Sequence, residues 1–288
     1  MIDLENSSIR ADLAESISCE IDEFCETHFN DGFRKHLGAS VIGKSCSRQL
    51  WYAFRWAQAE KIDGRTHRIF ERGRREEELV WTYLRGIGCE VHDLDPDTQK
   101  QWRVSVHDGH FGGSMDARIK LPAKYGIDEW ILAEVKTMSD TNWNRMVKEK
   151  VKVNKPEYWA QMNIYGYLSE PKMRYALFIA VNKNNDSIHF ELLKLDEAIA
   201  IDYIGKARDI VFAQEPPTKV AFSPANFICK FCPFSNICHY DQVVERNCRS
   251  CKYAKPGPDG SWLCGVHGDS PIPEDFIPLG CANHKGID

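Results

Sequence analysis

Apolar residues recur at three- and four-residue steps over 8–28, where Ile9, Leu13, Ile17, Ile21 and Phe24 mark one helical face. A break at Asn30-Asp-Gly follows. The run from Cys46 to Trp56 opens a second, aromatic-rich helix, and a third is predicted over about 66–86, ending near Gly86 and Gly88. The period then changes. Strand-like stretches fall near 88–94, 100–107, 110–120 and 130–137, punctuated by Gly, Pro and Asp. Helical spacing returns at 139–150 and 156–170, with Pro156 suited to a first turn. Strands are predicted again at 173–182 and 187–194, around an Asn184-Asn-Asp turn. A last helix over 195–213 stops at Gln214-Glu-Pro-Pro. No internal repeat or low-complexity tract interrupts this order. Helices, a strand meander, a helix and further strands predict an α/β fold, a mixed sheet flanked by helices.

A chain of 288 residues with 43% hydrophobic content is long enough for one large domain and a small appendage. The net charge of -5 does not advertise a nucleic-acid partner, so any grip on one rests on local basic patches. The opening Met1-Ile-Asp-Leu-Glu is acidic and does not read as a secretory signal, and no long apolar run reads as a membrane span. Eleven cysteines without a secretion signal point to metal binding in the cytoplasm and not to disulfides.

The densest chemistry lies in Gly113-Ser-Met-Asp116 and, eighteen residues beyond the aspartate, Glu134-Val-Lys136. On a strand Glu134 and Lys136 share a face. Two carboxylates from adjacent strands suit a hard cation such as Mg2+ or Mn2+, which polarises a phosphate and acidifies water. Lys136 would orient or deprotonate that water, or stabilise charge developing on phosphorus. The blander reading is a surface strand with an ion pair. Gln161-x3-Tyr165 lies one turn apart on the following helix, placed to hold a nucleic-acid backbone or the lysine. Upstream, Glu77 of Gly73-x3-Glu77 shares a face with Val80, Trp81 and Leu84, and a carboxylate turned inward needs a partner or a metal. Glu76 competes for the role within Glu76-Glu77-Glu78.

Cys229-x2-Cys232, Pro233 and Cys238 have the spacing of an iron–sulfur or zinc site that lacks a fourth ligand. Cys19, Cys25 and Cys89 lack cysteine neighbours and read as helix or core residues. Cys248-x2-Cys251-x12-Cys264-x16-Cys281, spread over Gly- and Pro-rich sequence, suits a closed Zn2+ site, with His267 and His284 as alternative ligands. This module would contact DNA, a protein partner or the main domain.

Gly38-Ala-Ser-Val-Ile-Gly43-Lys44-Ser45 matches the phosphate-binding loop pattern of ATPases. That loop must leave a buried strand, and Phe33-Arg-Lys-His-Leu is not one. Basic stretches at 65–75 and 148–155 would contact phosphates or form solvated faces. Trp143 and Trp159 would stack on bases or pack in the core.

In chain order, Gly73-x3-Glu77, Asp116, Glu134-x-Lys136 and Gln161-x3-Tyr165 resemble the motifs of the PD-(D/E)XK nuclease superfamily, RecB-like branch. Cys46 and the Cys229, Cys232, Cys238 trio narrow the resemblance to the iron–sulfur nucleases of the AddB and CRISPR-associated exonuclease type. Ser45-Cys46-Ser-Arg48-Gln-Leu-Trp51-Tyr52 is similar to that group's first-cysteine helix. The resemblance covers about residues 40–240, with Met115 in place of the family's proline and Glu77 in place of its usual histidine, as in phage-type exonucleases.

What this implies is a restriction-endonuclease-like core at 41–245, after a helical segment at 1–40 and before the cysteine-rich module at 246–288. Cys46, Cys229, Cys232 and Cys238 would hold a 4Fe-4S cluster as a structural staple. Asp116, Glu134 and the Val135 carbonyl would hold Mg2+ or Mn2+, with Glu77 as an extra ligand. Lys136, Gln161 and Tyr165 would complete the catalytic set. The implied activity is a DNA exonuclease on single strands or free ends, in DNA processing or recombination, with a phage setting among the possibilities. The alternatives are a catalytically silent iron–sulfur and zinc DNA-binding or assembly factor, and an ATPase.

Overall fold

A computed structural model describes residues 7–30 and 32–287. Helix α1 (Ser7–His28), strand β1 (Leu37–Gly38), helix α2 (Ser47–Phe54) and helix α3 (Gly64–Gly86) lead into the strand-rich segment. That segment comprises β2 (Glu90–His92), β3 (Arg103–Val106), β4 (Phe111–Ser114), β5 (Ala117–Lys120) and β6 (Ile131–Met138). Helices α4 (Asp140–Glu149), α5 (Val151–Asn154) and α6 (Pro156–Leu168) precede β7 (Tyr175–Asn182), β8 (Ile188–Lys194) and α7 (Glu197–Val211). Short helices α8 (Phe227–Lys230) and α9 (Ser235–Tyr240) are followed by β9 (Ala254–Pro256), β10 (Trp262–Cys264) and β11 (Ser270–Pro271).

The central sheet has five strands in the order β2-β5-β6-β7-β8, with β6 and β7 parallel and the other pairs antiparallel. This is the mixed sheet that the sequence predicts. Strand β7 is buried over its last seven residues, which explains its unbroken apolar run. Side chains of β6 alternate between two apolar layers. Ile131, Ala133 and Val135 join Val80, Trp81 and Leu84 of α3 on one face, and Leu132 and Met138 join α2 and α6 on the other. Helix α6 is apolar nearly all round, and Trp159 to Gly166 are all buried.

The predicted strand over 110–120 is two strands in different sheets. Strand β4 sits between β1 and β3 in a three-stranded sheet, whereas β5 joins the central sheet. Met115 and Asp116 make the crossing, so Asp116 lies between strands and not at the end of one. Helix α1 forms as predicted, but its apolar stripe does not face the core. Cys25 is its buried residue, while Ile17, Ile21 and Phe24 are exposed. The helix rests on α3 through Asp22 and Cys25, both of which meet Arg68. Trp143 and Trp159 both pack into the core, the first donating its ring N–H to the Ala180 carbonyl at 3.2 Å. Three of the five arginines of the basic stretch on α3 pair with neighbours: Arg68 with Asp22, Arg72 with Glu76 and Arg74 with Glu71. Among the described residues no helix is long and apolar enough to cross a membrane.

Residues 38–45 do not make a phosphate cradle, because the N–H groups of Ala39, Val41, Ile42 and Lys44 donate to the carbonyls of Gly112, Gly38, Ala39 and Val41. Strand β1 is two residues long, and the Ile42 and Lys44 carbonyls accept from Lys206 Nζ at 2.8 and 2.6 Å. Gly43 abuts the Glu157 backbone so closely that a Cβ would lie 2.5 Å from Glu157 Cα.

Candidate active site

Glu134 and Lys136 stand two residues apart on β6 and point the same way, as period-two geometry requires. Lys136 Nζ donates to Glu134 Oε1 at 2.5 Å and lies 3.8 Å from Asp116 Oδ2. Asp116 is fixed by the neighbouring strand: its Oδ2 accepts from the Val135 N–H at 2.9 Å. The register Ala117↔Ala133 brings the residue before β5 against the middle of β6. Glu77 reaches the same cluster from α3, within electrostatic range of Asp116, Glu134 and Lys136. Its rival Glu76 is paired with Arg72 at 3.6 Å, so the choice between adjacent glutamates falls to Glu77.

Three carboxylates thus face one ammonium, and the electrostatics follow. Burial, and then the charge of Asp116, pushes Glu134 up to about 7, against the opposing pull of Lys136 and Gln161. Burial and the same aspartate push Glu77 up to about 8. Lys136 is held protonated: burial opposes its charge, but Glu134 and Asp116 outweigh it. Glu134 is fully buried, yet its Oε2 has no hydrogen-bond partner among the described residues. A buried carboxylate oxygen left unpaired costs on the order of 1–3 kcal/mol. The cluster is therefore short of positive charge and of donors. Oxygen donors of this kind fit a hard divalent cation. As the side chains stand, no group of three or more His, Cys, Asp or Glu among the described residues is gathered ready to hold a metal ion.

Gln161 and Tyr165 project from α6 behind this cluster, one turn apart. They are 4% and 2% exposed. Gln161 interacts with both Glu134 and Tyr165, and burial raises the Tyr165 hydroxyl well above the ordinary tyrosine range. Both residues therefore act on the carboxylates from the protein side. Their burial leaves neither open to a polymer substrate. Tyr158, one turn earlier on α6, is a member of the site that the motifs did not nominate. Its ring lies 5.6 Å from Lys136 Nζ and stacks on Phe178. The helical spacing Tyr158, Gln161, Tyr165 was the available signal.

The first cysteine set is also brought together. Cys46, Cys229, Cys232 and Cys238 line one pocket with Tyr52 and Phe234. Cys46 caps α2, its sulfur accepting from the Gln49 N–H at 3.4 Å. Burial, with the neighbouring thiols, raises Cys229 and Cys232. In the C-terminal segment, Cys248 is raised by burial and lies within electrostatic range of Cys251, Cys264 and Cys281. Cys25 and Cys89 are buried apart from either set.

No protein-family model matches the chain, and no curated protein matches it. Among solved structures the chain is similar to an alkaline exonuclease (LHK-Exo) from Laribacter hongkongensis, also solved in complex with dAMP. The identity there is 16%, the match covers 61% of this chain and 86% of that one, and the TM-score is 0.42. It is similar also to SSO0001, at 18% identity over 75% of this chain and 92% of that one, with a TM-score of 0.42.

Proposed function

We propose that the chain is a divalent-cation-dependent nuclease that hydrolyses phosphodiester bonds in DNA, working as an exonuclease on single strands or free ends. The observation that carries this reading is the convergence of Glu77, Asp116 and Glu134 on Lys136, with Oε2 of the fully buried Glu134 unpartnered. The choice of DNA and of end-directed action rests on the order of the motifs and their resemblance to RecB-like nucleases.

Asp116, Glu134 and the Val135 carbonyl would hold Mg2+ or Mn2+, with Glu77 as the additional carboxylate. When bound, such a cation supplies positive charge to a phosphate oxygen and acidifies water. The chain's own residues do the rest. The Val135 N–H fixes the Asp116 carboxylate. Lys136 carries a cationic donor to the place where negative charge grows on the phosphoryl oxygens. Gln161 and Tyr165 are positioning residues that keep Glu134 oriented from behind.

A second part of the reading concerns Cys46, Cys229, Cys232 and Cys238. Four thiols sharing a pocket walled by Tyr52 and Phe234 fit the donor set and apolar surround of a 4Fe-4S cluster. Such a cluster would tie residue 46 to residues 229–238 and contribute directly to folding. Thiols kept for metal binding suit a reducing compartment, in keeping with a cytoplasmic protein.

The test uses anaerobically purified chain, end-labelled single- and double-stranded DNA, and Mg2+ or Mn2+. Cleavage is expected only with the cation, and is expected to be lost in Asp116→Ala and Lys136→Ala while the fold persists. A wild-type protein that binds the cation and DNA but cleaves neither substrate overturns the enzymatic reading in favour of a DNA-binding factor.

A further inference from the structure

Two arginines are buried at the junction between α2 and the C-terminal segment. Arg55 is 0% exposed and Arg249 is 1% exposed. Their hydrogen bonds run to backbone carbonyls. Arg55 donates to the Arg249 and Cys251 carbonyls, each at 2.6 Å, and Arg249 donates to the carbonyls of Lys35, at 2.9 Å, and of Phe54. Aromatic rings enclose both. The Arg55 guanidinium lies 5.5 Å from the Trp51 ring and 5.2 Å from Trp262, and that of Arg249 lies 4.4 Å from Trp56 and 4.6 Å from Trp262. Among the described residues no Asp or Glu forms an ion pair with either, and Arg55 Nη1 and Arg249 Nε have no acceptor. Guanidinium does not shed its proton in a protein, and an uncompensated buried charge costs several kcal/mol. Rings and carbonyl dipoles cushion the two charges without cancelling them.

A candidate counter-charge lies in the cysteine turn itself, where Cys251 is within electrostatic range of Arg55, which in turn acts on Arg249. Arg249 sits inside Cys248-x2-Cys251, and the Cys251 N–H closes that turn on the Cys248 carbonyl at 3.1 Å. Cys264 ends β10, paired in register with Ala254, and Cys281 begins the turn that the His284 N–H closes. These elements bring Cys251, Cys264 and Cys281, from three separate segments, within electrostatic range of Cys248, without gathering the sulfurs ready for a metal ion among the described residues. Four thiolates about a divalent cation carry a net double negative charge, which matches the two guanidiniums. Three thiolates and a histidine carry half of it. The His284 Nε2, moreover, is engaged with Ser250 Oγ at 3.0 Å.

We propose that Cys248, Cys251, Cys264 and Cys281 bind a divalent cation of the zinc class as a four-thiolate dianion, and that this dianion is the counter-charge of the Arg55–Arg249 pair. A bound cation would draw the four sulfurs inward from their present positions. The arginines then act as outer partners of the metal site, and the site fastens the C-terminal segment to α2. This inference does not depend on the nuclease reading.

The test is made on the full chain, stripped of zinc with a chelator and titrated back with Zn2+ against a competing chelator. Native mass spectrometry counts bound zinc separately from iron. One zinc per chain is expected, lost in Cys264→Ser and in Cys281→Ser. Arg55→Met and Arg249→Met are expected to weaken zinc binding by about 10–100-fold, the range known for outer partners of metal ligands. Arg55→Lys and Arg249→Lys keep the charge and are expected to stay within about threefold of wild type. If the methionine variants do not fold, Co2+ bound to wild type and to Cys281→Ser decides the matter. A sulfur-to-cobalt absorption that falls in the variant supports the proposal. Retention of full zinc affinity by Cys281→Ser or by both methionine variants overturns it, as does a wild-type chain that takes up no zinc.

Discussion

Gly113 and Tyr165 touch so closely that any side chain at 113 would overlap the tyrosine hydroxyl. The glycine lies on β4, opposite Val104 of β3, and the tyrosine on α6, which packs across that sheet. The glycine is thus a packing requirement of the carboxylate site and not merely a flexible residue before Asp116. Gly113→Ala is expected to displace Tyr165 and cost about 1–3 kcal/mol, as overpacking of a filled core does. It is also expected to lower cleavage, because Tyr165 and Gln161 back Glu134. Tyr165→Phe in the same chain removes the overlapping oxygen and is expected to recover part of the stability. Denaturant unfolding of the single and double variants checks this, and additive losses would show that the two residues do not compete for the same space.

Much of this site was legible in sequence because it depends on local rules. Glu134 and Lys136 share a face by the two-residue period of a strand, and Glu77 by the apolar face of α3. What was illegible depends on distant pairing. Strand β1 is two residues long and carries no pattern, yet its pairing of Leu37 with Phe111 pulls β4 out of the central sheet and sets Asp116 at the crossover. The exposed stripe of α1 obeyed helical spacing without having a core to face. Arg55 and Arg249, 194 residues apart, share no sequence pattern that links them until the fold stacks both against Trp262. Tyr158 was hidden for the opposite reason: a tyrosine on an apolar helix reads as core, and only the position of Lys136 makes it part of the site.

Cation binding and chemistry separate at Lys136. The ammonium neutralises part of the charge of Glu134 and Asp116, so Lys136→Met removes the cation that both of them face and leaves the cluster only Arg74, which acts on Glu77. The variant is expected to bind Mn2+ at least as tightly as wild type while losing cleavage. Glu134→Gln and Asp116→Asn are expected to lose Mn2+ binding by tenfold or more, about 1.4 kcal/mol or above. Isothermal titration calorimetry with Mn2+, beside the cleavage assay, reads both effects. Loss of Mn2+ binding in Lys136→Met would show that the lysine organises the ligands and is not their electrostatic competitor.

The segment from Gly38 to Ser45 spends its backbone on the protein's own groups. The Lys206 ammonium takes the Ile42 and Lys44 carbonyls, and the Glu157 backbone fills the space beside Gly43. Adding ATP to protein already in Mg2+ is therefore expected to leave the melting temperature where Mg2+ alone puts it. Gly43→Ala is expected to lower stability by about 1–3 kcal/mol, because the atom that a Cβ would meet is backbone and cannot swing aside. Thermal unfolding with and without nucleotide measures both, and a melting temperature that rises with ATP concentration would restore the ATPase alternative.

His36 makes the fold sensitive to acid. Burial, with the charges of Arg34, Arg103 and Arg249, lowers it from 6.5 to about 4, and its Nε2 has no partner among the described residues. His110, buried beneath the C-terminal segment, is lowered too, burial outweighing its bond to the Gly257 carbonyl. The folded chain keeps these rings neutral. The unfolded chain protonates His36 once pH falls below its ordinary value, and therefore binds more protons between about pH 6.5 and 4. Stability from this residue is fully present above that window and is lost as pH falls through it. At one pKa unit per 1.36 kcal/mol, the loss reaches at most about 3 kcal/mol, less in proportion to the solvent that reaches the ring. His36→Gln carries no titrating ring, so its unfolding free energy is expected to fall less steeply than that of wild type between pH 7 and pH 4. Urea unfolding of both proteins across that range checks the slope. Parallel curves would mean that the ring finds a partner when protonated and that acid sensitivity arises elsewhere.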